Sequence, residues 1–501
     1  MKIRELVCCS AAPPSANLGL GNIALYDIQT GSQLASFKQT SASIHSTAIV
    51  ETKSQQGGLI LTSQPDKAIL NVYTFQKEQL HLKIVLPERL TCIAVDTEGR
   101  YCAGGTANGK IYLWEVASGI LFNAFDAHYR KITVLRFTLD GTALVSGSED
   151  SRVTVWTLSS LLDNELQHEI PTPYCTLADH TLPISDIKCG FGPFPTCRVL
   201  TSSLDTSCKL WDISSTTLLA TFIFPQPITV LAFDLTERTL FAASQDGSIH
   251  QVNLFRQRKN RMGHNTGGIE AAAGMEEGGA MRIDDNEEVP TRKRLISVGQ
   301  EVTSLAISFT GSTLLVGTAT GAVQIYDIPS HQLIRSINVQ QGFAITHVSS
   351  FLKPMDLVGQ MTIGTPSPSD NIPVRPISSF HRLRDQASRD AHEVPIALPI
   401  PTGKPVLQGA LPPYDFSTDH RFFMNQQSGA TAASTQSLQS RIVELESELA
   451  SMRQNLAKAK GLNDAMWETV VSSVLGSENP RAGEEEEVES RKSKKVRVNG
   501  K

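Results

Sequence analysis

The sequence predicts an all-β ring, a seven-bladed β-propeller, followed by an extended proline-rich strap and a C-terminal coiled-coil helix. Three observations predict it. A pattern of three short alternating strands separated by polar turns recurs along residues 1–351. Eleven of the 25 prolines fall within 354–413. Apolar residues then settle into a heptad period within 434–475.

The clearest repeat is ITVLRFTLDGTALVSGSEDSRVTVWTL, residues 132–158. Residues 132–137 alternate apolar and polar, Asp140-Gly141 turns the chain, and a second strand starts at Ala143. The Glu149-Asp150-Ser151 turn leads to a third strand from Val153. Period-two alternation between turn residues is the signature of half-buried strands. The pattern returns at 90–116, 184–213, 228–254 and 302–328, with degenerate copies ending at 21–28 and 68–75. Aligned third strands place Tyr26, Tyr73, Trp114, Trp156, Trp211, Val252 and Tyr326 at one equivalent position. Most of these spacings are near the ~40–45 residues of a propeller blade. After Asp327 a last outer strand is expected around Gln332–Asn338. Residues Ala344–Phe351 and Leu357–Ile363 also alternate, either adding to the ring or lying across it.

Four segments fall outside the repeats. A charged insertion, 256–300, interrupts the connection between the sixth and seventh blades. Its Arg256, Arg258, Lys259, Arg261, Arg292, Lys293 and Arg294 are candidate contacts for a partner or RNA, although no aromatic residue is interleaved to stack on bases. Residues 352–433 form the strap, expected to run extended. Ile377, Phe380 and Leu383 among others make it too apolar for a plain linker, so it should lie on the propeller or on a partner. In 434–475, Leu438, Ile442, Leu445, Leu449, Met452, Leu456 and Ala459 are spaced four and three in turn. That is an a/d seam, and it points to a homodimer through a paired coil. The tail, 476–501, ends in a basic cluster of Arg491, Lys492, Lys494, Lys495 and Arg497, a candidate nuclear import signal or RNA contact.

Two repeats carry a matching set of polar residues: His128, Ser146, Asp150 and Trp156, then His180, Thr201, Asp205 and Trp211. In this they resemble the WD-repeat proteins, whose structural tetrad is a buried hydrogen-bond chain from turn Asp to His to hydroxyl to indole. The resemblance implies that these residues brace blades, and that His128, Asp150 and Ser146 are not a catalytic triad. The third and seventh repeats lack the turn Asp, with Asn108 and Thr320 in its place.

A closer resemblance rests on AHYRKITVLRFTLDGTALVSGSEDSRVTVW, DHTLPISDIKCGFGPFPTCRVLTSSLDTSCKLWDI and TFIFPQPITVLAFDLTERTLFAASQDGSIHQVNLF. The Gly190–Pro195 loop and the Phe222–Thr229 approach to the sixth blade are its more specific parts. These stretches resemble the WD-repeat subunit of the rixosome-type pre-rRNA-processing complex, the family of animal WD repeat-containing protein 18 and its fungal counterparts. The likeness covers about residues 90–330 and the order of strap and coil behind them. It implies a scaffold in the nucleoplasm and nucleolus that serves internal transcribed spacer removal and pre-60S assembly. The implied partners are the other subunits of that complex, the pre-60S particle and the midasin ATPase. It also implies links to DNA replication licensing and chromatin.

Composition and motifs bound the alternatives. Net charge is -5 with 19% charged residues, so no bulk field drives the whole chain onto nucleic acid. No apolar run approaches the ~18 residues of a membrane span, and the N-terminal apolar stretch is too short for a secretory signal. The expectation is a soluble intracellular protein with no membrane contact. The eight cysteines form no C-x-x-C pair and read as buried thiols, so no metal or other cofactor is expected. Gly19-Leu20-Gly21-Asn22-Ile23-Ala24 fits a loose dinucleotide fingerprint, but it opens a strand where the fingerprint needs a helix. With no phosphate-loop, zinc-protease or nucleophile-elbow motif, the chain reads as a non-enzyme without a small-molecule substrate. The competing function class is a substrate-reading adaptor of a ubiquitin ligase, or a subunit of a chromatin or replication-licensing complex.

Overall fold

The computed structural model describes residues 4–13, 19–52, 56–163, 171–259, 265–271, 279–283, 295–354, 356–357, 373–384, 392 and 432–475. It separates the chain into two units, Met1–Lys404 and Pro405–Lys501. The first holds seven antiparallel blades in a ring. From the channel outward, blade 2 is Thr47–Val50, Leu59–Ser63, Ile69–Thr74 and Lys77–Val85. Blade 3 is Leu90–Val95, Tyr101–Thr106, Lys110–Glu115 and Leu121–Asp126. Blade 4 is Ile132–Phe137, Ala143–Ser148, Val153–Thr157 and Cys175–Leu177. Blade 5 is Ile184–Cys189, Arg198–Ser203, Ser207–Asp212 and Thr217–Ile223. Blade 6 is Ile228–Phe233, Thr239–Ser244, Ser248–Asn253 and Leu295–Ser297. Blade 7 is Val302–Ile307, Thr313–Thr318, Ala322–Asp327 and Leu333–Asn338.

Blade 1 closes the ring with both ends of the propeller sequence. Its inner strand is Ala344–Leu352, and Glu5–Ala12, Gly21–Asp27 and Gln33–Thr40 complete it. Leu6 lies opposite Phe351 and Val7 opposite Ser350 in an antiparallel ladder. The alternation at 344–351 thus belongs to the ring, as its closing strand. The pairing removes two sheet edges at once, which a four-stranded unit otherwise leaves open.

A blade cannot bury both of its faces alone, so neighbours must supply the core. The apolar core accordingly falls into seven clusters, each shared by two adjacent blades. Leu59, Leu61, Cys102 and Trp114 join blades 2 and 3. Val7, Cys9, Leu315 and Ile325 join blades 7 and 1 across the closure.

The charged insertion 256–300 contributes strands of its own. Its last part, Leu295–Ser297, pairs with Ser248–Asn253 and is the outer strand of blade 6. The blade needs that fourth strand to cover its edge, and it arrives late because the insertion precedes it. Gly279–Arg282 runs parallel to Thr217–Ile223 as a fifth strand on blade 5. Phe255–Lys259 pairs with Asn265–Ala271 as a hairpin. The expected strap boundary also moves by one residue, because Leu352 ends the closing strand.

Among the described residues the second unit contains one helix, Ala432–Leu475, of 44 residues. It starts two residues before the boundary expected from the heptads. No described helix is long and apolar enough to cross a membrane.

Candidate functional site

Antiparallel connectivity puts the first and third turns of every blade at one mouth of the channel. The second turns and the links between blades lie at the other. We call these the lower and upper mouths.

Both tetrads assemble towards the upper mouth. His128 Nδ1 lies 3.0 Å from Asp150 Oδ2 and its Nε2 2.8 Å from Ser146 Oγ. Trp156 Nε1 donates to the same Ser146 Oγ at 3.1 Å. In blade 5, His180 Nδ1 is 2.9 Å from Asp205 Oδ2 and its Nε2 2.8 Å from Thr201 Oγ1. Trp211 Nε1 donates to Thr201 Oγ1 at 3.0 Å. Ser146 and Thr201 are fully buried, and each also bonds a backbone carbonyl of the next strand. Each hydroxyl is thus occupied by the indole, the imidazole and the backbone, and none is free to act as a nucleophile. Burial would raise the Asp150 carboxyl, but the bond and charge of His128 and two backbone N–H groups hold it below its usual value. The turn carboxylate therefore stays ionised and anchors the chain of bonds.

Blade 3 has the tryptophan without its partners. Trp114 Nε1 donates instead to the carbonyl of His381, 267 residues further along, at 3.0 Å. Phe380 stacks on the Trp114 ring with centroids 5.2 Å apart. Both residues belong to the described part of the strap, 373–384, which crosses the lower mouth of blades 2 and 3. Arg375 is 6% exposed and donates Nε to Gly57 O at 3.1 Å and Nη1 to Glu98 O. Ser378 N–H bonds Val116 O at 3.2 Å, and His381 N–H bonds Gly119 O at 2.8 Å. Gly119 has φ +76°, and a Cβ there would sit 2.3 Å from the Ser379 carbonyl oxygen. Only glycine admits so close a pass. Of the strap's apolar residues, Phe380 is buried, Ile377 packs beside the same cluster and Leu383 is 80% exposed.

The channel holds a polar centre that repeat reading did not find. Asp186, fully buried, accepts from Ile187 N–H at 2.8 Å and Leu231 N–H at 3.0 Å. Lys188 Nζ and Arg136 Nη2 each lie 3.5 Å from its carboxylate. Burial alone would raise this carboxyl, but Lys188, His45 and Arg136 bring it down to about 2. His45 Nε2 stands 3.8 Å from Asp186, yet burial lowers His45 to about 4, so this contact is no ion pair at neutral pH. Arg136 Nη2 approaches His45 Nδ1 at 3.2 Å, as suits a neutral ring. Between these groups blades 2, 4, 5 and 6 are tied together. His45 lines a chamber of about 900 Å³, and Arg136 lines another of about 230 Å³.

A second missed feature was readable by aligning the inner strands. Thr91, Thr133, Ser185, Thr229 and Thr303 all occupy the second position of their strands. Thr91 Oγ1 donates to Ile132 O at 2.6 Å, Ser185 Oγ to Ile228 O at 2.7 Å and Thr303 Oγ1 to Ile345 O at 2.5 Å. These bonds join blade 3 to 4, 5 to 6 and 7 to 1.

The remaining predicted residues are not brought together. In the helix, Ile442, Leu445, Leu449, Met452, Leu456 and Ala459 are all exposed, and Leu438 lies on its backbone. Arg256, Arg258 and Lys259 lie on the hairpin's first strand. Arg261, Arg292, Lys293, Arg294, Arg491, Lys492, Lys494, Lys495 and Arg497 lie outside the described residues. Among the described residues no group of three His, Cys, Asp or Glu is placed to hold a metal.

Residues 119–157 and 171–212, which span the two tetrad blades, match the family model described as WD domain, G-beta repeat. Fold and tetrads together define the class: a WD-repeat propeller. The chain is 30% identical to pre-rRNA-processing protein IPI3 of Mycosarcoma maydis, over 93% of this chain and 96% of that protein. It is 30% identical to WD repeat-containing protein 18 of Homo sapiens, over 75% of this chain and 77% of that one. A second IPI3, from Yarrowia lipolytica, shares 29% identity over 88% of this chain and 95% of its own length. The chain belongs to the family of pre-rRNA-processing protein IPI3 and WD repeat-containing protein 18.

Proposed function

We propose that the chain is a non-enzymatic scaffold subunit of a nuclear pre-rRNA-processing complex, acting in internal transcribed spacer removal and pre-60S assembly. One observation carries this reading: the near full-length relation to a protein named for pre-rRNA processing. The geometry agrees with a scaffold. The His–Asp–hydroxyl sets, where a triad would be sought, have their bonds directed into the blades.

Within this reading the parts divide by chemistry. The propeller and strap, within 1–351 and 352–433, hold the other subunits and dock beside the midasin ATPase on the pre-60S particle. The helix, 434–475, pairs two copies through its exposed seam. The basic residues of 256–300 and 491–497 make salt-sensitive contacts with pre-rRNA or acidic partners, because Lys and Arg without stacking aromatics hold phosphate but do not read bases. The tail cluster also directs import to the nucleus.

Rapid depletion of the protein in its own cells tests the reading. Precursor rRNAs that retain the internal spacer should accumulate, and large-subunit precursors should stall. Normal spacer removal after depletion would overturn it.

A further inference from the structure

Among the described residues the chain's own strap covers the lower mouth on blades 2 and 3, while blades 4 to 7 present exposed apolar side chains there. Leu139, Phe191, Leu235 and Phe309 sit in the first turns of those four blades and are 38%, 67%, 53% and 50% exposed. Bonds link the turns of blades 4, 5 and 6 in series and tie the turn of blade 7 to blade 1. Thr97 Oγ1 of blade 3 bonds Leu139 O at 3.0 Å, and Asp140 of blade 4 accepts from Phe194 N–H of blade 5 at 2.9 Å. Glu237 of blade 6 accepts from Phe191 N–H at 2.8 Å, and Glu5 of blade 1 accepts from Phe309 N–H. Each aromatic turn is therefore held by a carboxylate of the neighbouring blade. These side chains stand exposed on a fixed backbone, so little ordering remains to oppose binding. Monomer surfaces seldom present such a row without a use.

We propose that this arc docks an extended segment of another protein, one that carries proline and apolar residues next to arginine or lysine. The strap shows what the mouth accepts. On blades 2 and 3 it presents Pro373, Arg375, Ile377 and Phe380, with the guanidinium on turn carbonyls and the ring on Trp114. The arc likewise carries carboxylates, Asp140, Asp234, Glu237 and Glu5, beside its apolar side chains. Among the described residues Asp140, Asp234 and Glu5 have no ion-pair partner, and the Arg198–Glu237 pair, 3.3 Å apart, is the arc's one cation contact. The chain's own apolar, proline-bearing run at 393–401 reads EVPIALPIP and brings no cation. A foreign cationic segment therefore complements the arc better.

The test replaces Phe191 or Phe309, in the full chain and in its own cells, by the photocrosslinker p-benzoylphenylalanine. Irradiation should join both positions to one segment of another protein, rich in proline and containing Lys or Arg. The same replacement at Tyr129, on the upper mouth, should not capture that segment. The captured segment, made as a peptide, should bind the purified chain. Leu235→Ser with Phe309→Ser should weaken that binding about 30-fold or more without moving the melting temperature. Crosslinks to a second copy, to residues 385–431 of the same chain, or to nothing would overturn the proposal. A captured protein with no part in rRNA processing would leave the docking surface standing and count against the function proposed above.

Discussion

At the residue scale, charge and burial decide what each polar side chain does. Asp150 caps a chain of bonds that ends inside the blade 4 core, with His128 7% exposed. Asp150→Ala leaves His128 without its acceptor and should lower stability by about 1–3 kcal/mol. Calorimetry should show the lower melting temperature, while partner binding at permissive temperature persists. Lost binding with unchanged melting would make Asp150 a recognition residue. The channel supplies a pH dependence. Burial, helped by nearby cations, keeps His45 down at about 4 and His347 at about 3, against ~6.5 in an unfolded chain. Between those values the unfolded state binds protons that the folded state refuses. Stability is therefore full near pH 7 and falls as pH drops from about 6.5 towards 4. Denaturant midpoints across that range should decline, and His347→Asn should flatten the slope. The tetrads were legible because the chemistry recurs at fixed offsets from a turn. Asp186 was not, because Lys188 stands beside it on the same strand while Arg136 comes from blade 4 and His45 from the link into blade 2, so the cluster forms only across blades.

At the scale of elements, the strap and the helix differ in what completes them. The strap replaces a missing tetrad: Trp114 lacks a buried hydroxyl and finds a carbonyl and a ring in residues 380–381. Phe380→Ala empties a buried site, and losses of about 3 kcal/mol are usual for buried aromatics. Limited proteolysis should then cut within 373–384 well before the blades unfold. Simultaneous cleavage of strap and blades would show that the strap is no separate layer. Proline content foretold an extended segment, but not its seat, since a PPII pattern says nothing about which surface it meets. The helix has its seam residues exposed, with Leu445 and Leu449 each about half exposed. Leu445→Lys with Leu449→Lys would place charge in a paired seam. Light scattering should report a dimer for the unaltered chain and a monomer for the double variant, with the propeller's melting unchanged. An unaltered chain that is monomeric at micromolar concentration would contradict the paired coil. Elements with strong periodicity were legible in the sequence, and the short strands Leu295–Ser297 and Gly279–Arg282 were not. Three or four residues carry too little alternation to stand out within a charged insertion.

At the scale of the whole molecule, the propeller is a ring closed by pairing between the two ends of its own sequence. Closure by Ala344–Leu352 against Glu5–Ala12 could not be chosen from pattern alone, because several stretches alternate equally well near the end of the repeats. Pairing settles it, since the closing strand also packs into the cluster shared by blades 7 and 1. A fold of this kind does not name its own function. The proposed role in pre-rRNA processing rests on membership of the family. It is tested most directly by purifying the tagged full chain from its own cells and identifying everything bound. The account expects pre-rRNA-processing subunits, large-subunit precursor particles and a midasin-type ATPase to dominate. Ubiquitin-ligase core subunits in their place, with no ribosomal precursor, would contradict it.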